Sequence, residues 1–206
     1  MEVFYTALLA TFAFCLGACP FSLWTGRWLL HKDIRDYGEG NPGAANVLRA
    51  GGRKSFGLAL VLDIAKGVPF VVLAYKLFSL PEPAVLVVAL GAVLGSALSP
   101  LLRFKGGKSV AVTFGVLMAL PQHQMLLAMA AFLLLGYLLI KSNAWAVILG
   151  TATSLAYLVA TGTGLWPSLF ILCVLVVFVV RNANELQAAP RVKVKPAYWF
   201  QTRRHI

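Results

Sequence analysis

Charge is scarce in this 206-residue chain, where only 12% of residues are Asp, Glu, Lys or Arg and just seven of them are acidic. A soluble domain is about 25% charged and about 45–50% apolar. Here 60% of residues are apolar and the mean hydropathy is +0.82, which excludes a disordered chain and an ordinary soluble domain. Cysteine and histidine are equally sparse, at three each. Three cysteines do not make a disulfide framework. Cys15, Cys19 and Cys173 all fall in apolar runs and read as small packing residues. His31, His123 and His205 lack metal-ligand spacing, so no metal site is expected. No Ser-His-Asp or Cys-His set is present either. The net charge of +11 would suggest nucleic acid in a soluble protein, but no basic helix with interleaved aromatic residues supports such a partner.

What the chain does have is long apolar runs, at about 3–25, 55–78, 84–102, 109–120, 122–140, 144–161 and 165–180. A membrane-spanning helix needs about 20 apolar residues, so the expected fold is all-α, a bundle of seven transmembrane helices forming one polytopic domain over 1–206. The pair flanking Pro121 is ambiguous by length alone, because 109–140 also reads as one long kinked helix. Charge decides between the two. With seven spans and the N-terminus outside, every Lys and Arg except Lys66 and Lys76 falls on the cytoplasmic side or in the basic tail 181–206. Six spans would put the basic tail outside, against the positive-inside rule. No cleavable signal peptide is apparent, since Glu2 and no basic stretch precede the first run.

Three features stand out against this apolar background. The connection 26–54 is long and carries Gly38, Gly40 and Gly43 in a literal G-x-G-x-x-G pattern, with Asn41, Asn46 and Arg49 beside it. A dinucleotide fingerprint needs a preceding strand, and here the preceding element is a membrane span. What survives is the physics, in which small residues let backbone N–H groups converge on an anion. The second feature is Phe104-Lys105-Gly106-Gly107-Lys108-Ser109 at the opening of the fourth span. The leading glycine of a P-loop would fall on Leu102, so this is not one, yet glycines and a lysine at a helix N-terminus favour phosphate. Third, Asp63 and Lys66 lie inside the second span, three residues apart on one helix face. Charges at that depth are costly and normally paired. All three also have plainer readings, respectively a tight glycine turn, a positive-inside loop and a packing ion pair. Together they point to a cation-rich phosphate pocket at the cytoplasmic interface.

These residues carry a family resemblance. Asp33-Ile34-Arg35, Gly38-x-Gly40-Asn41-x-Gly43-Ala44-x-Asn46-x-x-Arg49, Asp63-x-x-Lys66-Gly67 and Phe104-Lys105-Gly106-Gly107-Lys108-x-Val110-Ala111 resemble the bacterial acyl-phosphate:glycerol-3-phosphate acyltransferases over essentially the whole chain. The resemblance implies a seven-span enzyme of the bacterial inner membrane, with N-terminus outside and C-terminus and active site cytoplasmic. Its partners would be the lipid bilayer, acyl phosphate and glycerol 3-phosphate, with no obligate protein partner. It implies Arg49 and Lys108 as phosphate-binding catalytic cations, with Asn184 as the asparagine of a third motif. Gly38, Gly40, Asn41, Gly43, Asn46, Arg35, Lys105, Gly106, Gly107, Ser109 and Ser142 would complete the substrate site.

The departures are concentrated in that site. Glu39 replaces a serine between the first glycines, Ala45 replaces a threonine, Ser96 a histidine, and Arg181 the histidine of the third motif. Glu39 is the one carboxylate placed to act as a general base. With Arg181 brought to the same pocket, the two are expected to form an ion pair within about 4 Å. A binder of anionic lipid that has lost turnover, or a transporter suggested by the Asp63–Lys66 pair, are the alternatives the residues leave open.

Topology gives the first test. In a cysteine-free background, a cysteine at Glu82 should react with a membrane-impermeant maleimide added outside intact cells, and one at Lys105 should not. Labelling at Lys105 would end the seven-span arrangement.

Overall fold

A computed structural model describes residues 1–187, 189 and 190, among which the regular structure is helical. Apolar sequence becomes helix here because, in lipid, a segment must satisfy its own backbone groups. Seven apolar helical segments result. The first covers Glu2–Leu30 and is broken at Cys19-Pro20 into α1 (Glu2–Ala18) and α2 (Phe21–Leu30). A short α3 (Ala44–Arg49) lies in the long connection that follows. The second segment is Arg53–Leu77, broken at Lys66-Gly67-Val68 into α4 (Arg53–Ala65) and α5 (Pro69–Val72), with a π-helical end at Leu73–Leu77. Then come α6 (Glu82–Ala97), α7 (Val110–Ala119), α8 (His123–Leu139), α9 (Asn143–Ala160) and α10 (Leu165–Asn182). The break expected at Pro121 is present, since α7 and α8 are separate helices.

One element is shorter than a membrane is thick. At about 1.5 Å per residue, α7 rises about 15 Å, half of a hydrocarbon core of about 30 Å. The missing length is supplied by the extended segment 105–109, which runs down the last turns of α6. Gly107 N–H donates to Ser96 O at 3.0 Å, and Ser109 Oγ donates to Val93 O at 3.1 Å, one turn deeper. Irregular backbone survives at membrane depth where it is buried in protein or lines a cavity, and this segment does both.

Lipid offers no hydrophobic drive between helices, so the bundle closes through small residues and close packing. The α1–α6 crossing shows this best. Gly95 sits so close to the Phe14 carbonyl, and Gly17 to the Ala92 carbonyl, that a Cβ at either would overlap backbone. Gly115 of α7 meets the Ile64 carbonyl of α4 in the same way. The main core runs through this bundle and includes the fully buried Leu117, Met125, Met129, Leu158, Ile171 and Phe178. A second, smaller core of Leu23, Ile34, Ala44, Val47, Ala50 and Ala59 lies under the connection between α2 and α4. That connection is therefore packed on its own apolar base and holds its side chains in fixed places.

Packing through glycine predicts a sharp contrast in stability. Gly95→Ala should lower stability in detergent by about 1–3 kcal/mol, the range for overpacking. Gly57→Ala on α4, where an added Cβ meets nothing within 4 Å, should be neutral or stabilising. Thermal unfolding followed by circular dichroism reads both, and equal behaviour would remove the close-approach argument.

Candidate functional site

The site is built by two irregular segments that the bundle presses together. The first, 31–52, begins where α2 ends on His31 in the left-handed conformation (φ 52°). Asp33 then organises the turn. Its carboxylate accepts from Arg35 N at 3.0 Å, from Arg35 Nε at 2.9 Å and Nη2 at 2.6 Å, and from Arg27 Nη2 at 3.0 Å. The hydrogen bond from the Arg35 side chain is the largest of several effects that hold this carboxyl well below the usual range. Lys32 Nζ closes the loop by donating to Ala50 O at 2.9 Å. Arg35 is thus a structural partner of Asp33, with its side chain 45% exposed.

Beyond this turn, the glycines make room for a cation. Gly38 has φ +59°, and a Cβ there would lie 2.7 Å from both Arg49 Cδ and Asn46 Oδ1, so only glycine fits. Asn46 is almost fully buried. It donates to Asn41 O at 2.7 Å and accepts from Arg49 Nη1 at 2.9 Å, which fixes the guanidinium. Gly43 precedes α3, whose last residue is Arg49.

The second segment, 105–109, brings Lys108 to the same point. Gly106 is buried against the Ser96 and Ala97 carbonyls, where a Cβ would overlap. Arg181, at the end of α10, donates to Gly107 O through Nε at 3.2 Å and to Gly106 O through Nη2. With the backbone so held, Lys108 Nζ lies 2.8 Å from Glu39 Oε2 and 2.5 Å from Glu185 Oε1, while Arg49 Nη2 lies 3.1 Å from Glu39 Oε1. Burial would raise the Glu39 carboxyl, but Lys108 and Arg49 outweigh it and bring it below its ordinary value.

This cluster forms the polar rim of a cavity of about 470 Å³. Asn41, Gly43, Gly107 and Ser109 share the rim with the charged groups, and Tyr137 and Asn143 reach it from either side of the α8–α9 turn. The walls below are apolar, formed by Phe56, Leu60, Ile64, Phe114 and Val147. Asp63 and Lys66 also line it, paired at 2.9 Å with side chains only 9% and 5% exposed. A cationic rim over an apolar shaft suits an amphiphile with a phosphate head. Among the described residues no three of His, Cys, Asp and Glu cluster as metal ligands do.

Sequence and structure agree on the heart of the site and part at its edges. Glu39, Asn41, Gly43, Arg49, Gly107, Lys108 and Ser109 line the cavity, while Gly38, Asn46, Gly106 and Arg181 hold those residues in place. Arg35, Gly40, Lys105, Ser142 and Asn184 are not among the lining residues, and Lys105 and Asn184 are exposed. The expected Glu39–Arg181 ion pair is not formed. Arg181 is occupied by two successive carbonyls that a planar guanidinium suits well, and Glu39 finds two cations of its own. Glu185 was missed by sequence reasoning. The helix ends at Asn182, and a 3₁₀ turn at Glu185–Gln187 returns the chain so that Glu185, and not the neighbouring Asn184, meets Lys108. Only a second carboxylate close to the third motif could have signalled it. Asn182, fully buried with its Oδ1 unpartnered, was missed for the same reason.

Comparison with known proteins supplies the identity of this arrangement. The family model described as glycerol-3-phosphate acyltransferase matches residues 7–189. Among curated relatives, the glycerol-3-phosphate acyltransferase of Synechococcus sp. (strain JA-3-3Ab) is 36% identical over 98% of this chain and 100% of its own. That of Aromatoleum aromaticum is 37% identical over 87% of this chain and 90% of its own. Among solved structures, the integral membrane glycerol 3-phosphate acyltransferase PlsY (YgiH) in its glycerol 3-phosphate form superposes with a TM-score of 0.79. It is 28% identical, covering 88% of this chain and 90% of that one, and its lysophosphatidic acid form superposes at 0.76. A family match over residues 7–189, together with relatives and a solved structure alike over most of both chains, places this chain in the glycerol-3-phosphate acyltransferase family of integral membrane proteins.

Proposed function

We propose that the chain transfers a fatty acyl group from acyl phosphate to a hydroxyl of glycerol 3-phosphate, releasing inorganic phosphate and lysophosphatidic acid. The observation that carries this reading is the cavity itself, with Arg49 and Lys108 at a polar rim above an apolar shaft. An acyl chain fits the shaft and a phosphate fits the rim. In the step, the glycerol hydroxyl oxygen bonds to the acyl carbonyl carbon, and the bond from that carbon to the phosphate oxygen breaks. Arg49 and Lys108 offset the negative charge that gathers on the carbonyl oxygen and the departing phosphate. The hydroxyl proton goes to the departing phosphate, the base nearest the bond that breaks. Asn41, Gly107 and Ser109 lie around the same point and orient the two substrates against each other.

The placement of basic residues supports an orientation with the N-terminus outside and the site facing the cytoplasm, in the inner membrane of a bacterium. The basic tail from Arg191 onward lies outside the described residues. No cofactor enters this scheme, since the acyl phosphate is already activated.

Purified protein incubated with palmitoyl phosphate and glycerol 3-phosphate should form palmitoyl lysophosphatidic acid, read by mass spectrometry. Lys108→Ala and Arg49→Ala should each reduce kcat/KM by about tenfold to a hundredfold, as expected for a lost charge-assisted contact. Arg203→Ala in the tail should leave it within about twofold of the parent. Equal, small effects at all three positions would mean that the cations serve topology alone.

A further inference from the structure

The phosphate-binding fork carries an anion of its own. Glu39 presents one carboxylate oxygen to each cation, Oε1 to Arg49 at 3.1 Å and Oε2 to Lys108 at 2.8 Å. Two oxygens of one anion spread across two cations is the arrangement a phosphate monoester would adopt there. Glu39 is an anion at neutral pH, because Lys108 and Arg49 overcome the effect of its burial. Its side chain is 31% exposed at the cavity rim and belongs to a loop, so it can leave the fork by rotation about its own bonds while every helix stays in place. Glu185 differs, since among the described residues its ion pair is with one cation, Lys108.

We infer that Glu39 is an internal stand-in for substrate phosphate, filling the Arg49–Lys108 fork when the site is empty and yielding it to a phosphate monoester. The choice of ligand rests on the acyltransferase reading above. Glu39 then sets specificity in two ways. A monoanionic carboxylate gains nothing over the group it must displace, whereas a phosphate dianion brings the extra charge that displacement requires. Affinity for phosphate is also lower than the bare fork would give, because every binding event breaks two ion pairs first. The same chemistry is offered by soluble glycerol 3-phosphate and by the head of acyl phosphate in the bilayer.

Equilibrium binding to the full chain in lipid nanodiscs tests this without turnover. Glycerol 3-phosphate and, separately, palmitoyl phosphate are titrated into the parent protein, Glu39→Gln and Glu39→Ser, and each of these combined with Lys108→Ala. Both Glu39 variants should bind at least one ligand about tenfold or more tightly than the parent, and Lys108→Ala should remove that gain. Tightening of both ligands, or of one, supports the inference and identifies which phosphate uses the fork. Unchanged or weaker binding of both overturns it, as does a gain that persists without Lys108. Two different replacements at Glu39 guard against one failing to fold. Absence of acyl transfer in the parent protein would end the functional reading while leaving this binding result intact.

Discussion

The buried pair of Asp63 and Lys66 is the interaction on which the cavity depends. Each charge lies inside a span, where an unpaired one would be costly. Their separation of 2.9 Å answers part of that cost, and the remaining partners answer more. Lys66 Nζ donates to Cys19 O at 3.0 Å, and Ser22 Oγ donates to Asp63 Oδ2. Cys19 is where the first span breaks, because Pro20 has no N–H to continue the ladder. Lys66 is where the second span breaks, before Pro69. The pair therefore joins two helix breaks, and Lys66 satisfies the Cys19 carbonyl at the first of them. Removing either partner would strand the other in an apolar setting, the situation in which a buried pair matters most. Cys19, Pro20, Asp63 and Lys66 all line the cavity, so the joined breaks form part of its wall.

The rim depends on a second set of constraints that act on backbone. Gly106 can lie on the Ser96 and Ala97 carbonyls only because it lacks a Cβ, and Arg181 holds the carbonyls of Gly106 and Gly107 from the other side. Lys108 then has one place to go. Asn46 and Gly38 do the equivalent for Arg49. Two cations drawn from segments 59 residues apart in sequence meet because the backbone or side chain of each is held by groups other than its counter-ion. The carboxylates of Glu39 and Glu185 balance them, so the rim is stable before any ligand arrives.

Much of this was legible in the residues and some of it was not, for physical reasons. Apolar runs and the positive-inside bias gave the helices and the break at Pro121, since both signals are local and strong. The glycine-rich segments pointed to the places from which Arg49 and Lys108 come together at the cavity, because glycine lets backbone pack closely beside them. Pairings were harder. Opposite charge and a shared pocket suggested Arg181 for Glu39, but neither reveals competing acceptors, and peptide carbonyls took Arg181 instead. Glu185 and Asn182 depend on where α10 stops and how the chain turns, a boundary that sequence locates only to within a few residues. The half-length α7 was read as a span, whereas the extended segment 105–109 covers the other half of the crossing.

That extended segment links the fold to the chemistry. A full-length helix from 105 would have satisfied its own N–H groups and pointed Lys108 to one side of a cylinder. Starting α7 at Val110 leaves the first-turn N–H groups of a helix opening within the bundle, where a helix dipole is screened least. Ser109, in the left-handed conformation at φ 61°, turns the chain from extended to helical at the cavity wall. The positive end of α7 is thus aimed near the rim that Arg49 and Lys108 already make positive, and it favours negative charge there. Glu39 and Glu185 follow from the same field. A rim with two cations and a helix N-terminus would draw an anion from solvent unless the protein supplied its own. A carboxylate on a loop is one that the incoming phosphate can move.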